Sequence, residues 1–399
     1  MPNRRIGTDL MRIPQPRVHN AMQTETETVP LWSIGLMTGT ALDGFVDTAL
    51  IRTDGVSVAE FGPFELFAYS DADRTLLAEA ITQARAWDFQ GPEPLIFAEA
   101  EDLITRIYAG AVLKLVEKAK MRPEDIAFVG GHGLTVLHRP QIGGGGRTRQ
   151  LLDGAKLAEL TGIDTVWDFR SHDVASGGQG APLAPIYHTA ILRHAGLGGD
   201  TSILNLGGVA NITWWDGGDS LAAFDTGPAN GPLNEWVEAH GQGVYDKDGR
   251  LAASGRVHEG RLLEILDNPW FDAPYPKSLD RYDFDAGLVR GLSLEDGAAT
   301  LTALVAASLD LGLRLLPTRP KRLVVAGGGR KNPVLMAEIA ARCGVQVLDA
   351  DTIGLRGDAI EAECFALLAV RSARGLPLSF PGTTGVDRPT AGGVMSRAG

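Results

Sequence analysis

Cysteine is nearly absent from this chain of 399 residues. Cys343 and Cys364 are too few for a disulfide framework and lack metal-ligand spacing. Both stand in apolar surroundings, so they are expected to be reduced core residues of a cytosolic protein. His132 and His138 have no Cys or His partners at ligand spacing, which argues against a zinc site. No apolar stretch reads as long enough to span a bilayer, so no membrane contact is expected. Excess positive charge is missing as well. The formal net charge of -12 argues against nucleic acid as the main partner, because a phosphate backbone needs basic stripes. No G-x-x-x-x-G-K-[ST] run occurs, which excludes a P-loop, and the glycines at 327–329 lack the G-x-G-x-x-G spacing. Solenoid-length repeats and low-complexity tracts are also absent.

What is present is the composition of a soluble globular protein, 44% apolar and 22% charged. The length exceeds one ordinary core, so two lobes are expected. Apolar periodicity predicts helices from Asp71 to Trp87, Leu95 to Lys118, Leu151 to Leu160, Tyr187 to Ala195, Leu233 to His240, Leu301 to Leu316, Asn332 to Arg342 and Ala359 to Arg371. Short apolar strands fall between them, at Ile126 to Val129, Thr165 to Trp167, Leu221 to Phe224 and Leu323 to Ala326. This alternation gives an α/β fold with mixed sheets. A new lobe begins near Gly198. The expected division is 31–197, joined by a C-terminal tail of about 376–399, and 198–375.

Residues 1–30 differ from the rest. Arg4, Arg5, Arg12 and Arg17 precede the polar run Gln23-Thr24-Glu25-Thr26-Glu27-Thr28, with no apolar core of a secretory signal. The segment reads as a disordered extension, or as a start assigned too early with Met22 as the true one. A transit peptide is the weaker alternative.

A strand–glycine turn–strand unit occurs twice. Apolar residues from Trp32 enter the turn Thr38-Gly39-Thr40-Ala41-Leu42-Asp43-Gly44 and leave through Val46 to Ile51. Those from Ile203 enter Asn205-Leu206-Gly207-Gly208-Val209-Ala210-Asn211 and leave through Ile212 to Trp215. Glycine lets backbone N–H groups approach an anion, and hydroxyls or amides add donors. Either turn alone is an ordinary tight hairpin. Two of them, a lobe apart, suggest a protein that grips polyphosphate from both sides. Asp43 is the candidate magnesium ligand, directly or through water.

Further candidates stand where strands end. Gly327-Gly328-Gly329 follows a buried strand, and Asn332 opens a helix, an arrangement suited to adenosine packed against backbone. Asp225 ends a strand before Thr226-Gly227-Pro228, where a carboxylate points into an interlobe crevice as a general base or simply caps a turn. Asp168-Phe169-Arg170, with Asp173 and Gln179, reads as a polar substrate strip or as an internal Asp–Arg pair. His132 between glycines reads as a loop hydrogen-bonder. Of Glu361 and Glu363, one is expected to face the crevice and the other solvent.

Together these segments resemble the anhydro-N-acetylmuramic acid kinases, from about Ile34 to the C-terminus. Gly35 to Gly44 resembles that family's GLMSGTSLDG, and Gly131-His132-Gly133-Leu134-Thr135 its SHGQT. Asp168-Phe169-Arg170 with Asp173 to Leu183 resembles DFR..DVAAGGQGAPL, the most specific stretch. Asn205 to Asn211 is similar to NIGGIAN, Phe224 to Asn230 to FDTGPGN, and Pro276-Lys277-Ser278 to PKS. Glu361 falls where the EAMAFAW-type helix carries a glutamate.

The resemblance implies two RNase H-like lobes with five-stranded-type mixed sheets around an ATP cleft, as in hexokinase, Hsp70 and actin. It implies a cytoplasmic kinase using ATP and Mg2+ on 1,6-anhydro-N-acetylmuramic acid in cell-wall recycling, and a homodimer. It makes Asp225 the base. Thr38 to Gly44, Asn205, Gly207, Gly208, Asn211, Gly327 to Gly329 and Asn332 become the nucleotide and phosphate contacts. His132, Asp168, Arg170, Gln179, Gly227, Asn230 and Glu361 become the sugar contacts. Departures are Leu134 for Gln, Ala41 for Ser, Asn234 for Asp, Leu279-Asp280 for Thr-Gly, and one extra residue between Gly44 and Asp47. Leu134 and Ala41 are the best support for a kinase of another sugar. A chaperone-like ATPase of the same superfamily is the alternative from another class, although no partner-binding domain is visible.

Overall fold

The computed structural model describes residues 28–39, 42–140, 145–280 and 283–399. Most of the N-terminal extension, together with Thr40 and Ala41, therefore lies outside the described residues. The first half runs β1 (Leu31–Met37), β2 (Phe45–Thr53), β3 (Val58–Ala68), α1 (Asp71–Trp87), α2 (Ile96–Lys118), β4 (Phe128–Gly131), β5 (Leu134–Arg139), β6 (Arg147–Leu151), α3 (Gly154–Thr161), β7 (Thr165–Trp167), α4 (Ser171–Ala175) and α5 (Pro185–His194). The second runs β8 (Thr201–Leu206), β9 (Val209–Trp215), β10 (Leu221–Pro228), α6 (Asn230–Ala239), α7 (Arg250–Ser254), α8 (Glu259–Leu266), α9 (Leu294–Leu315), β11 (Arg322–Ala326), α10 (Pro333–Cys343), β12 (Gln346–Asp349), α11 (Ile360–Ala373), α12 (Pro381–Thr384) and β13 (Val394–Ser396).

One topology is built twice. The strand orders are β13-β7-β4-β1-β2-β3 and β10-β9-β8-β11-β12. In each sheet the first three strands form an antiparallel meander, and two later strands add parallel beside the first. This is the RNase H-like order expected. The first sheet has six strands because the C-terminal β13 pairs antiparallel with β7.

The second sheet shows how side-chain alternation fixes the site. Leu204, Leu206, Ala210, Ile212, Trp214, Ala222 and Phe224 pack on one face with residues of α9 and α10. Ile203 and Trp215 point the other way, into a core shared with α5 and α11. The next residues on that second face, toward the end of the sheet, are Asn205, Asn211 and Asp225. They are polar because that end of the sheet opens on a cavity.

Helix α9 shows why a local reading of apolar length misleads. It is long and apolar enough to cross a membrane, contrary to the expectation from the sequence. It is instead largely buried against β10, α6, α7 and α10, and Ser293 caps it by accepting the Asp296 N–H. Helix α11 lies against β1, β2 and β4, although the sequence places the return to the first lobe only near residue 376. Gly35 and Gly130 make that possible, because a Cβ on either would run into the carbonyls of Ala362 and Phe365. Strand β3 has no counterpart in the sequence reading. It contains Gly62-Pro63, which an edge strand tolerates because the missing N–H faces no partner.

Candidate active site

Asn205, Asn211 and Asp225 stand side by side on three neighbouring strands. Asn205 pairs with Asn211 across β8 and β9, and Asn211 with Asp225 across β9 and β10. Directly after Asp225 the register shifts, and Gly227 is next to pair, with Ala210. Such a bulge turns the strand end and re-aims its side chains. On the other side of Asn205 comes Gly327, which follows β11. A Cβ there would sit 2.5 Å from Asn205 Oδ1, and the backbone has φ +75°, so the close approach requires glycine.

Three cavities follow this row. One of about 540 Å³ is lined by Asn230, Leu233, Tyr245, Lys331, Asn332, Gly328 and Gly329. A central one of about 360 Å³ is lined by Asp47, Arg170, His188, Asn205, Asn211, Asp358 and Glu361. A third of about 450 Å³ contains Asp225, Gln179, Lys277 and Thr383, and shares Asn211, Ala181 and Pro182 with the central one.

Asp225 is held by the loop after residue 270. Its N–H donates to the Lys277 carbonyl at 3.0 Å, and the Leu279 N–H donates to its Oδ2 at 2.8 Å. Burial raises its pKa to about 6 against the opposing pull of that N–H. A carboxylate tuned near neutrality suits a general base. Lys277 fixes the loop, its Nζ donating to the carbonyls of Trp270 at 3.0 Å and Phe271 at 2.7 Å. Burial lowers this ammonium to about 8.

The facing wall is acidic. Burial first, then Glu361, Asp43 and Asp358, raise Asp47 to about 7. Glu361 is open to the cleft yet ringed by protein, so desolvation raises its pKa while Arg170 opposes. Asp358 is held down at about 2, chiefly by its bond from Arg330. Arg330 is buried and bridges Asp351 and Asp358 at 2.8 Å each, while also donating to the Gly327 carbonyl at 2.9 Å. That anchor sets the glycine turn against the first cavity.

Several expected contacts are occupied within the protein. His132 Nε2 accepts from Arg170 Nε at 2.9 Å, and its Nδ1 lies 2.8 Å from the Gly133 carbonyl. Burial keeps this ring neutral. Asp168 Oδ1 accepts the Ser171 N–H at 3.2 Å at the start of α4, and Asp168 lines none of the three cavities. Gly227 packs on α9, where a Cβ would overlap Ser308. Asn230 borders the first cavity and donates to the Leu206 carbonyl at 2.9 Å. The carbonyls of Gly207 and Gly208 receive the N–H groups of Ala229, Asn230 and Gly231 and so seat α6. In the first turn Thr38 and Leu42 are buried, while Gly39 and Asp43 are exposed. Asp43 Oδ1 accepts the Phe45 N–H at 3.2 Å. Of the two glutamates, Glu361 faces the cleft, but Glu363 is buried, bonded to Tyr187 and Arg356, rather than facing solvent. Leu134 is fully buried in the first core, away from all three cavities, so its departure does not alter a cleft contact.

The sequence reading missed His188, Asp358 and Tyr245 and left Asp47 unassigned. Only Asp47 carried a signal, as the acidic residue just beyond the first glycine turn.

The family model for anhydro-N-acetylmuramic acid kinase matches residues 31–398. An anhydro-N-acetylmuramic acid kinase of Rhizobium rhizogenes is 58% identical, over 92% of this chain and 99% of its own length. That of Mesorhizobium japonicum is 55% identical over the same shares, and that of Caulobacter vibrioides 49% over 90% and 97%. A match that runs through both sheets and all three cavities makes this chain a member of the anhydro-N-acetylmuramic acid kinase family.

Proposed function

We propose that this protein converts ATP, water and 1,6-anhydro-N-acetylmuramic acid to ADP and N-acetylmuramic acid 6-phosphate, in the recycling of peptidoglycan. The observation that carries the reading is Asp225, a carboxylate tuned to about 6 beside the Asn205–Asn211 row in the third cavity, which shares Asn211 with the central one. The substrate's O6 is locked in the anhydro bridge and has no proton to lose. Asp225 therefore takes a proton from water, and that water attacks C1. The C1–O6 bond breaks, and the freed O6 takes the γ-phosphoryl group.

The first cavity takes the nucleoside between Tyr245, Leu233 and the glycine turn. Arg170 and Glu361 hold the sugar from the central cavity. Lobes divided near Gly198 close over both and keep bulk water from ATP. Among the described residues no three acidic or imidazole groups converge into a ready metal cage. Mg2+ suits such a site, since it binds through one or two carboxylates, phosphate oxygens and water. Asp47, with its raised pKa among other carboxylates, and Asp43 are the residues that would hold it. When bound it neutralises polyphosphate charge. We place the enzyme in the cytoplasm as a homodimer, in line with the family resemblance.

The test is ADP release with the anhydro sugar beside N-acetylmuramic acid, N-acetylglucosamine and glucose. Release with the anhydro sugar alone, with oxygen from labelled water at C1 of a 6-phosphate product, is the expected outcome. Release with a free sugar instead would make it an ordinary sugar kinase.

A further inference from the structure

His188 belongs to none of the motifs read in the sequence, yet it forms part of the floor of the central cavity. It sits on α5, which packs on the face of the second sheet that carries the Asn205–Asn211–Asp225 row. Its Nδ1 lies 2.7 Å from Thr213 Oγ1. Thr213 is two residues beyond Asn211 on β9 and hence on the same face, one step beneath the row.

The hydrogen-bond inventory decides where the imidazole proton sits. Thr213 is 2% exposed, and among the described residues His188 is the partner of its hydroxyl. If Nδ1–H donated to Thr213, the hydroxyl proton would be buried without an acceptor. If the hydroxyl donates to Nδ1, both groups are satisfied. The ring is neutral, since burial lowers its pKa to about 4. A neutral imidazole that accepts at Nδ1 carries its proton on Nε2. The ring edge away from Thr213 is therefore a donor toward the cavity.

The opposite wall offers Asp47, Asp358 and Glu361, which repel an anion. Arg170 also lines this cavity, with its Nε given to His132 and its Nη1 to the Gly180 carbonyl, and the neutral polar groups that an anionic group meets here are Asn205, Asn211 and His188. The central cavity lies next to the nucleoside cavity at the Gly327–Gly328 turn and shares walls with the Asp225 cavity. We propose that His188 donates its Nε2–H to an oxygen of the phosphoryl group in transfer, oriented for that task by Thr213. The assignment rests on the kinase reading above and adds a neutral donor that gives stabilisation without attracting the facing carboxylates.

The test compares ADP with a non-hydrolysable ATP analogue, by calorimetry on the full chain without sugar. In H188F the gain in affinity from the γ-phosphoryl group should fall about tenfold or more with ADP binding unchanged, kcat should drop by a similar factor, and Tm should fall modestly because the Thr213 hydroxyl loses its buried partner. H188Q, whose amide nitrogen lies near the position of Nε2, should recover most of both. An unchanged γ-phosphoryl gain in H188F overturns the proposal, even if turnover falls. So does a loss confined to sugar binding, which would assign the donor to the sugar. Should H188F not fold, imidazole carbon shifts of the wild type with the analogue bound decide, the Nδ1–H tautomer being the overturning result. Absence of turnover with the anhydro sugar in the wild type would sink the kinase reading alone, because the nucleotide comparison needs no sugar.

Discussion

The Leu279 N–H donates to Asp225 Oδ2 at 2.8 Å, so a backbone amide from a loop 54 residues later in sequence orients the carboxylate that stands at the bulge of β10. The Asp225 N–H in turn donates to the Lys277 carbonyl at 3.0 Å. The residue is thereby held at its backbone and at one carboxylate oxygen by one loop. Burial raises its pKa to about 6, and the ionised form is the base. The ratio kcat/KM should thus climb as pH rises through about 6 and level off above. Asp225→Asn should keep ATP affinity and lose roughly 3 kcal/mol or more of transition-state stabilisation. Steady-state kinetics against pH, with calorimetry for ATP, checks both; retained turnover would remove Asp225 as the base.

Asp47 predicts a stability effect of opposite sign from most substitutions. Its folded pKa, about 7, lies above the ordinary value because of burial and neighbouring carboxylates. A carboxylate raised on folding destabilises the native state in its charged form, so this cost is small at pH 4 and below, builds as pH rises from about 4 to about 7, and is constant above that. Asp47→Asn should raise stability at pH 8, on the order of 1 kcal/mol with partial screening, and leave it unchanged at pH 4. Thermal melts of both proteins at the two pH values give the result. A uniform shift at both would disprove the electrostatic origin.

Leu134 tests whether the motif departure matters for the sugar. Its side chain is fully buried in the first core. Leu134→Gln, which restores the family's residue type, should leave the ratio of activities on anhydro and free sugars unchanged. The buried amide should cost about 2–3 kcal/mol of stability. A changed sugar preference in this variant would show that the first core reaches the cleft.

Arg330 joins stability to nucleotide binding. Its buried guanidinium bridges Asp351 and Asp358 and holds the Gly327 carbonyl. Arg330→Met strands two carboxylates and loosens the glycine turn. The expected loss is on the order of 2–3 kcal/mol, less than for a fully buried pair because the acids keep contact with water. The KM for ATP should rise while that for the sugar holds, as read from paired titrations of the two substrates.

Much of the fold was legible because its signals are local. The spans Asp71–Trp87 and Thr165–Trp167 agree residue for residue with the predicted helix and strand, since apolar period and capping residues sit within each segment. Strand β3 was not legible, because Gly62-Pro63 reads as a break and only its place at the sheet edge makes it tolerable. Helix α9 was legible as a helix from Leu301, although it begins at Leu294 and its length and apolar composition alone also pass for a membrane span.

For the site, the sequence by itself determined the turn residues Asn205 and Asn211 and the glycines at 327–329 that follow β11, while the strand it ended at Asp225 bulges there and runs on to Pro228. Strand ends and glycine turns are written in neighbouring letters. Only the tertiary structure decided what those residues face. It turned His132 toward Arg170, Asp168 toward Ser171 and Gly227 toward Ser308. It brought Asp47, His188 and Asp358, which have no shared motif, around one cavity. The reason is physical: a backbone hydrogen bond or helix period spans a few residues, whereas a cavity wall is assembled from segments hundreds of residues apart by the packing of α5 and α11 between two sheets.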